Sequence, residues 1–368
     1  MRPDIIARMQ PQPALPVWTI AFPAFAWIAF AGLLAGPGGW YGWLLAVALL
    51  GSVVAAVHHA EVVAHRVREP YGTLALAIAI TVIEVGLIVT LMLAGGPATS
   101  ALARDTVFAA VMIILNGMLG LCMLLGASRH HEQTFSLDGV SAALATLAAI
   151  VVLTLVLPNY TLTTPGPMYS GSQLAFVAVV SLVLYCTFVL VQAVRHRDYF
   201  LPAPGGAADD EHASPPSVRT ALISLVLMLA CLGAVVLLGK ALAPAIEVLV
   251  ARAGAPQALV GVIIAAVVLM PESLAAVRAA RANRLQTSLN LALGSALASI
   301  GLTIPAVAIV SLATGWTLPL GIDMKSTVLL LLSLMVATLS LGTGRTTVLH
   351  GTIHLVVFAI YLFLTIVP

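Results

Sequence analysis

Charge is what this chain has least of: only 8% of its 368 residues are Asp, Glu, Lys or Arg, against about 25% in an ordinary globular domain. That scarcity excludes a water-soluble surface of normal composition. The formal net charge of +2 says nothing about nucleic acid, and none is expected as a partner. Cysteine is scarce too. Cys122, Cys186 and Cys231 all fall inside long apolar runs and read as small core hydrophobes, which excludes a disulfide framework. After the first apolar run stands Gly36-Pro37-Gly38-Gly39 and no A-x-A cleavage site, so that run is expected to be retained. No His-Glu-x-x-His motif occurs, and no polar stretch is long enough for a soluble catalytic domain. The expectation is therefore a protein that is not an enzyme and holds no cofactor.

What fills the chain is hydrocarbon, with 61% of residues hydrophobic. A span needs roughly 20 apolar residues, and eleven runs qualify: Val17–Leu34, Trp40–Ala60, Leu74–Ala94, Thr106–Gly126, Leu137–Leu157, Leu174–Val194, Thr220–Gly239, Leu259–Arg278, Ser288–Ala313, Thr327–Gly342 and Leu349–Pro368. The fold class expected is an all-α integral membrane protein of about eleven transmembrane helices. Lys and Arg favour cytoplasmic loops. With the N-terminus inside, Arg2, Arg8, Arg66, Arg68, Arg129, Arg195, Arg197, Arg219, Arg278, Arg281, Arg284 and Arg345 lie in the cytoplasm, and only Arg104, Lys240, Arg252 and Lys325 lie outside. An N-in, C-out chain follows.

Setting the first span aside leaves ten, five on each side of a polar loop. An odd number per half makes the second half enter from the opposite face, so the repeats are inverted, as in many secondary transporters. The organisation expected is residues 1–39 as tail and first helix, 40–194 as the first five-helix repeat, 195–218 as a cytoplasmic linker with the acidic run Asp209-Asp210-Glu211-His212, and 219–368 as the second repeat.

The second span of each half carries one carboxylate among aliphatic residues, Glu84 in ITVIEVGLIV and Glu272 in VVLMPESLAAV. A charge in hydrocarbon costs several kcal/mol, about 2.5 to 3.5 on lenient scales, which makes each glutamate a functional-site candidate. Inversion brings the two together near the midplane. Thr81 lies one turn before Glu84. Pro271 frees a backbone carbonyl beside Glu272, and Ser273 adjoins it. The helix that follows each carboxylate is polar in one place: Asn116 in VMIILNGMLG, and Ser295 and Ser299 in GSALASIGLTIP, where Ser299 aligns with Asn116. Asn290 and Thr303 extend that stripe. Oxygen ligands of this kind suit hard cations such as Ca²⁺ and Na⁺. Two facing carboxylates can hold a cation or protons in turn, which would couple cation efflux to proton entry.

Three other features stand apart. His58, Glu61 and His65 share one helix face by their spacing of three and four, with His59 beside them, and suit a pH-sensing or cation-entry role. The stretch Ser128–Gln133 reads as a solvated turn. His350 and His354 are spaced as metal ligands could be but lack a third partner nearby. A passive cation channel is the alternative function, since intramembrane carboxylates also line pores; a His-ligated intramembrane metalloprotein using His58, His59, His350 and His354 is the third.

The motifs His58-His59-Ala60-Glu61, Glu69-Pro70-Tyr71-Gly72-Thr73, Thr81-Val82-Ile83-Glu84-Val85, Pro271-Glu272-Ser273 and Leu293-Gly294-Ser295-Ala296-Leu297-Ala298-Ser299-Ile300-Gly301-Leu302-Thr303-Ile304-Pro305 resemble the ChaA-type branch of the calcium/cation antiporter superfamily, over essentially the whole chain. The resemblance implies a bacterial inner-membrane antiporter that exchanges Ca²⁺, Na⁺ or K⁺ for H⁺ across the lipid bilayer. It carries the family's paired glutamates onto Glu84 and Glu272, and its polar helices onto Asn116, Ser295 and Ser299. One departure is visible: the wider superfamily has a Gly-Asn pair where Ile80-Thr81 and Val268-Leu269 stand here.

Overall fold

In hydrocarbon a peptide group has no water to bond, so each apolar run must close its hydrogen bonds on itself as a helix. The computed structural model describes residues 15–35, 40–67, 71–201 and 216–367. Among them a helix stands at each expected run: α1 (Val17–Gly32), α2 (Tyr41–Val67), α3 (Tyr71–Gly95), α4 (Ala101–His130), α5 (Leu137–Tyr160), α6 (Gly171–Arg195), α7 (Val218–Arg252), α8 (Ala258–Arg281), α9 (Leu285–Thr314), α10 (Met324–Leu341) and α11 (Val348–Ile366). Nine of these described helices are long and apolar enough to cross a membrane, α1 and the part Thr81–Gly95 of α3 being shorter. The chain is a multi-pass membrane protein. Expectations that fall on Arg2, Arg8, Arg68, Glu69-Pro70 and the acidic run Asp209–His212 lie outside the described residues.

The helices gather into two compact units. The first contains α1, α2, the start of α3 and α7 as far as Leu238. Within it α1 packs on α2, fastened where the Tyr41 hydroxyl donates to the Ala29 carbonyl at 2.7 Å and the His59 ring bonds the Thr19 carbonyl at 3.0 Å. The indole Nε1–H of Trp27 donates to the Ala230 carbonyl of α7 at 3.1 Å. Packing thus collects the leading helix of each expected half, α2 and α7, with the additional helix α1. Chain order alone does not group them so.

The second unit holds Ile80–Ala208 and Gly239–Pro368. Its centre is α4, apolar on every side, as a helix enclosed by others must be. Residues from Val107 to Leu119 are buried almost without interruption. Around α4 stand α8, α9, α10 and α11, while α9 packs in turn against α5, α6 and α8. The pairs α4 with α11 and α9 with α6 are counterparts under an inverted five-helix repeat. The α4–α11 approach is close because both helices are bare where they meet: a Cβ on Gly120 would come 3.0 Å from the Cβ of His354, and one on Gly351 would come 2.8 Å from the Gly120 carbonyl.

Two loop ties follow the same symmetry. At one end of the unit β1 (Gln133–Thr134), after α4, pairs antiparallel with β2 (Arg345–Thr346), after α10. At the other end Met168, between α5 and α6, bridges Pro319, between α9 and α10. Exchange each loop for its repeat counterpart and one tie becomes the other. The stretch ending at Gln133, expected as a solvated turn, is therefore built in at its last residue. Gln133 is 2% exposed and donates to the Ala280 carbonyl at 2.8 Å and to Asn283 Oδ1 at 3.0 Å. Tertiary pairing, invisible in local polarity, accounts for the difference.

Candidate cation site

Glu84 projects from α3 and Glu272 from α8, and both reach the same face of α9. Ser295 and Ser299 are one turn apart there, which places their side chains about 5 to 6 Å from each other. The Ser299 hydroxyl donates to Glu84 Oε1. One turn earlier the Ser295 hydroxyl donates to Glu272 Oε2 at 2.5 Å. Two carboxylates from opposite halves are so held one turn apart on one helical ladder. Glu84 is 4% exposed, whereas Glu272 is half-buried.

A further oxygen continues the ladder. Thr303, one turn beyond Ser299, is fully buried and its Oγ1 lacks a hydrogen-bond partner. Asn290 does not belong to this column: its amide donates to the Phe200 carbonyl at 2.6 Å, and its Oδ1 accepts from Gln286. Ser273 adjoins Glu272 but directs its hydroxyl at the Leu269 carbonyl of its own helix, 2.8 Å away. Pro271 lies within α8, so the Val267 carbonyl receives no i+4 N–H bond from it. Thr81 is buried one turn before Glu84.

Asn116 breaks the repeat. Its segment, Ile113–Met118, is a π turn, a feature often found at functional positions, whereas α9 runs straight through the equivalent place. The Asn116 amide donates to the Ser333 hydroxyl of α10 at 2.8 Å, whereas Ser299, its aligned counterpart, donates to a carboxylate. Its Oδ1 stays buried without a partner. Ser333, itself bonded to the Leu329 carbonyl, is the residue that sequence reasoning missed. One signal was available: Ser326, Ser333 and Ser340 recur every seventh residue of α10 and so share one face.

The histidines of α2 belong to the first unit. His59 is fully buried, with Nδ1 lacking a partner, and the His58 ring lies tilted 5.3 Å from Trp18 with Nε2 also buried and without a partner. Glu61 and His65 are exposed on the same helix. His350 and His354 do not converge on a metal. His350 Nδ1 accepts from the Thr347 N–H at the start of α11, and His354 Nε2 bonds Ser340 at 2.8 Å. Among the described residues no three His, Cys, Asp or Glu side chains are grouped to hold a metal ion.

These features can be set beside known proteins. The model for the sodium/calcium exchanger protein family matches residues 39–194 and 223–367, the two expected halves. The y4hA protein of Sinorhizobium fredii is 47% identical over 98% of this chain and 100% of its own length. The sodium-potassium/proton antiporter ChaA of Escherichia coli is 35% identical over 87% of each chain. The crystal structure of the H⁺/Ca²⁺ exchanger CAX superposes with a TM-score of 0.72 at 16% identity, over 94% of this chain and 87% of that one, which establishes a shared fold. With both halves matched by the family model and an antiporter among relatives above 30% identity, the chain belongs to the sodium/calcium exchanger protein family of cation antiporters.

Proposed function

We propose that this protein exports Ca²⁺, Na⁺ or K⁺ from the cytoplasm in exchange for protons, by alternating access at a midplane site whose charge comes from Glu84 and Glu272. The observation that carries this reading is the paired attachment of those carboxylates, one from each half, to Ser295 and Ser299 on a single helix. Two negative charges in a low-dielectric site repel strongly. A cation relieves that repulsion, and so do protons. The compensated site can be carried between the two openings, while the bare pair cannot, and this makes cation and proton movement obligatory partners. Hydroxyl oxygens of Ser295, Ser299 and Thr303 and the Asn116 Oδ1 are the neutral ligands assigned, with Thr81 and Ser273 as outer oxygens. A hard cation is suited to such an all-oxygen set.

The relative named as a sodium-potassium/proton antiporter supports monovalent cations, and the fold shared with an H⁺/Ca²⁺ exchanger leaves Ca²⁺ in the set. The reading places the protein in a bacterial inner membrane with its N-terminus in the cytoplasm, and gives His58, His59, Glu61 and His65 a pH-sensing or entry role at the cytoplasmic end of α2. The experiment is dequenching of a pH-sensitive dye in everted vesicles on addition of Ca²⁺, Na⁺ or K⁺. Cation-dependent dequenching is expected in wild type and is lost in Glu84→Gln and in Glu272→Gln, with both variants inserted normally. Exchange that survives in both would remove the glutamates from the mechanism. Acidification should raise the cation concentration needed for half-maximal exchange, because protons and cation compete for the same oxygens. A channel would instead dissipate the pH gradient with no cation added.

A further inference from the structure

The serine ladder of α9 has a counterpart on α4, where Met112 aligns with Ser295 and Asn116 with Ser299. The second half thus brings two hydroxyls, and the first a thioether and one amide. An amide has two ends. Its oxygen is a ligand for a hard cation, while its nitrogen carries only hydrogens and repels one. The ends are nearly the same size, so shape does not choose between them. Beside ionised carboxylates the wrong end is favoured, because an N–H donates strongly to a carboxylate. For Asn116 to serve a cation, its nitrogen has to be held elsewhere.

In the structure the nitrogen is held on the α10 side. Asn116 and Ser333 are both fully buried, and the amide donates to the Ser333 hydroxyl at 2.8 Å. The one hydrogen of that hydroxyl has the Leu329 carbonyl 2.7 Å away, which leaves lone pairs for Asn116. The Met112 sulfur, 3.9 Å from the amide nitrogen and 3.5 Å from the Ser333 oxygen, has no hydrogen to give. Turned end for end, the amide would set its oxygen against that sulfur. As placed, its oxygen is buried without a partner, in a turn that packs against α8 and α9, the helices of Glu272 and of the serine ladder.

We propose that Ser333 is a positioning residue for the transported cation: by holding the Asn116 nitrogen on α10 it keeps the Asn116 oxygen free for the cation and prevents the amide from bonding a carboxylate instead. This inference rests on the antiport reading above, and it gives a part to α10, a helix that supplies no ligand in that reading. An interhelical tie would use the same hydrogen bond. The two roles differ in what happens to cation affinity when the hydroxyl is removed.

The test uses everted vesicles and whichever of Ca²⁺, Na⁺ and K⁺ drives exchange in wild type. Ser333→Ala should raise the cation concentration for half-maximal exchange about five- to tenfold, the effect of losing one hydrogen bond, and leave the rate at saturating cation near that of wild type. Ser333→Thr, which keeps the hydroxyl, should restore the wild-type value. A double-mutant cycle asks whether the effect passes through the amide. Asn116→Asp has oxygen at both ends, so in that background Ser333→Ala should change half-saturation less than about twofold. An unchanged or lowered half-saturation in Ser333→Ala overturns the proposal and leaves Ser333 as an interhelical tie, and so does a full tenfold effect that persists in the Asn116→Asp background. If Ser333→Ala fails to insert, Ser333→Cys, of similar size but a weak acceptor, is read in its place. Should wild-type vesicles show no exchange, the antiport reading fails. The rise of the thermal unfolding midpoint with Ca²⁺, Na⁺ or K⁺ in purified protein, wild type against Ser333→Ala, then still judges the serine.

Discussion

At Glu84 the donor is a serine from the other half of the chain, and the two carboxylates of the site differ in how much they need theirs. Glu84 is 4% exposed and can replace a lost donor with little water, whereas Glu272 is half-buried. Removing a partner from a buried acceptor costs about 1 to 3 kcal/mol, and 1.4 kcal/mol is a factor of ten in an equilibrium. Ser299→Ala is therefore expected to weaken apparent cation affinity about tenfold, and Ser295→Ala by less. Both are read from the cation dependence of dye dequenching. Equal losses would mean that exposure does not govern the pair. The glutamates were legible in the sequence because a charge inside an apolar run has few structural excuses. Ser299 was legible because the repeat aligned it with Asn116.

The π turn of α4 shows where legibility ended at the level of a helix. VMIILNGMLG has no proline, and its pattern is that of a continuous apolar helix. The extra residue in the turn is set by what packs on it: α11 lies against Gly117 and Gly120 so closely that Phe358, His354 and Leu355 occupy the space a side chain would need. Asn116 donates to Ser333, while its counterpart Ser299 donates to Glu84. All eleven helices could be read from run length, since hydrogen bonding within a helix is local. The direction of one amide within a span depends on contacts from residues more than 200 positions away, and no local pattern encodes that. The same close approach makes a prediction. A Cβ on Gly351 would press on Gly120 and Leu124 backbone atoms, which cannot rotate aside. Overpacking of this kind costs typically about 1 to 3 kcal/mol. Gly351→Ala should lower the thermal unfolding midpoint in detergent, while Gly42→Ala, at a glycine with open space around it, tests the general effect of adding a side chain. A midpoint unchanged in Gly351→Ala would mean that α4 and α11 are less tightly joined than their backbones indicate.

For the whole molecule, the consequence of an inverted repeat is that each device on one side has a counterpart on the other. The ribbon joining Thr134 to Arg345 and the bridge joining Met168 to Pro319 are such a pair, each tying a loop of the first half to a loop of the second. The Met168–Pro319 tie is reinforced by the Gly321 N–H donating to the Pro167 carbonyl at 3.0 Å and by Asn159 donating to the Ile322 carbonyl at 2.7 Å. Alternating access requires the halves to move against each other, so at least one tie must part at each stage of a cycle. Antiparallel neighbours have Cα separations of about 4.5 to 5.5 Å, within the range a disulfide spans. In a Cys186→Ser background, the pair Thr134→Cys with Arg345→Cys should cross-link under mild oxidation, arrest cation-driven proton movement, and recover on reduction. Met168→Cys with Pro319→Cys should behave alike if the two ties alternate. Arrest by one pair alone would assign the motion to that side, and full exchange in quantitatively cross-linked protein of both kinds would show that the loops stay joined while the helices beneath them move.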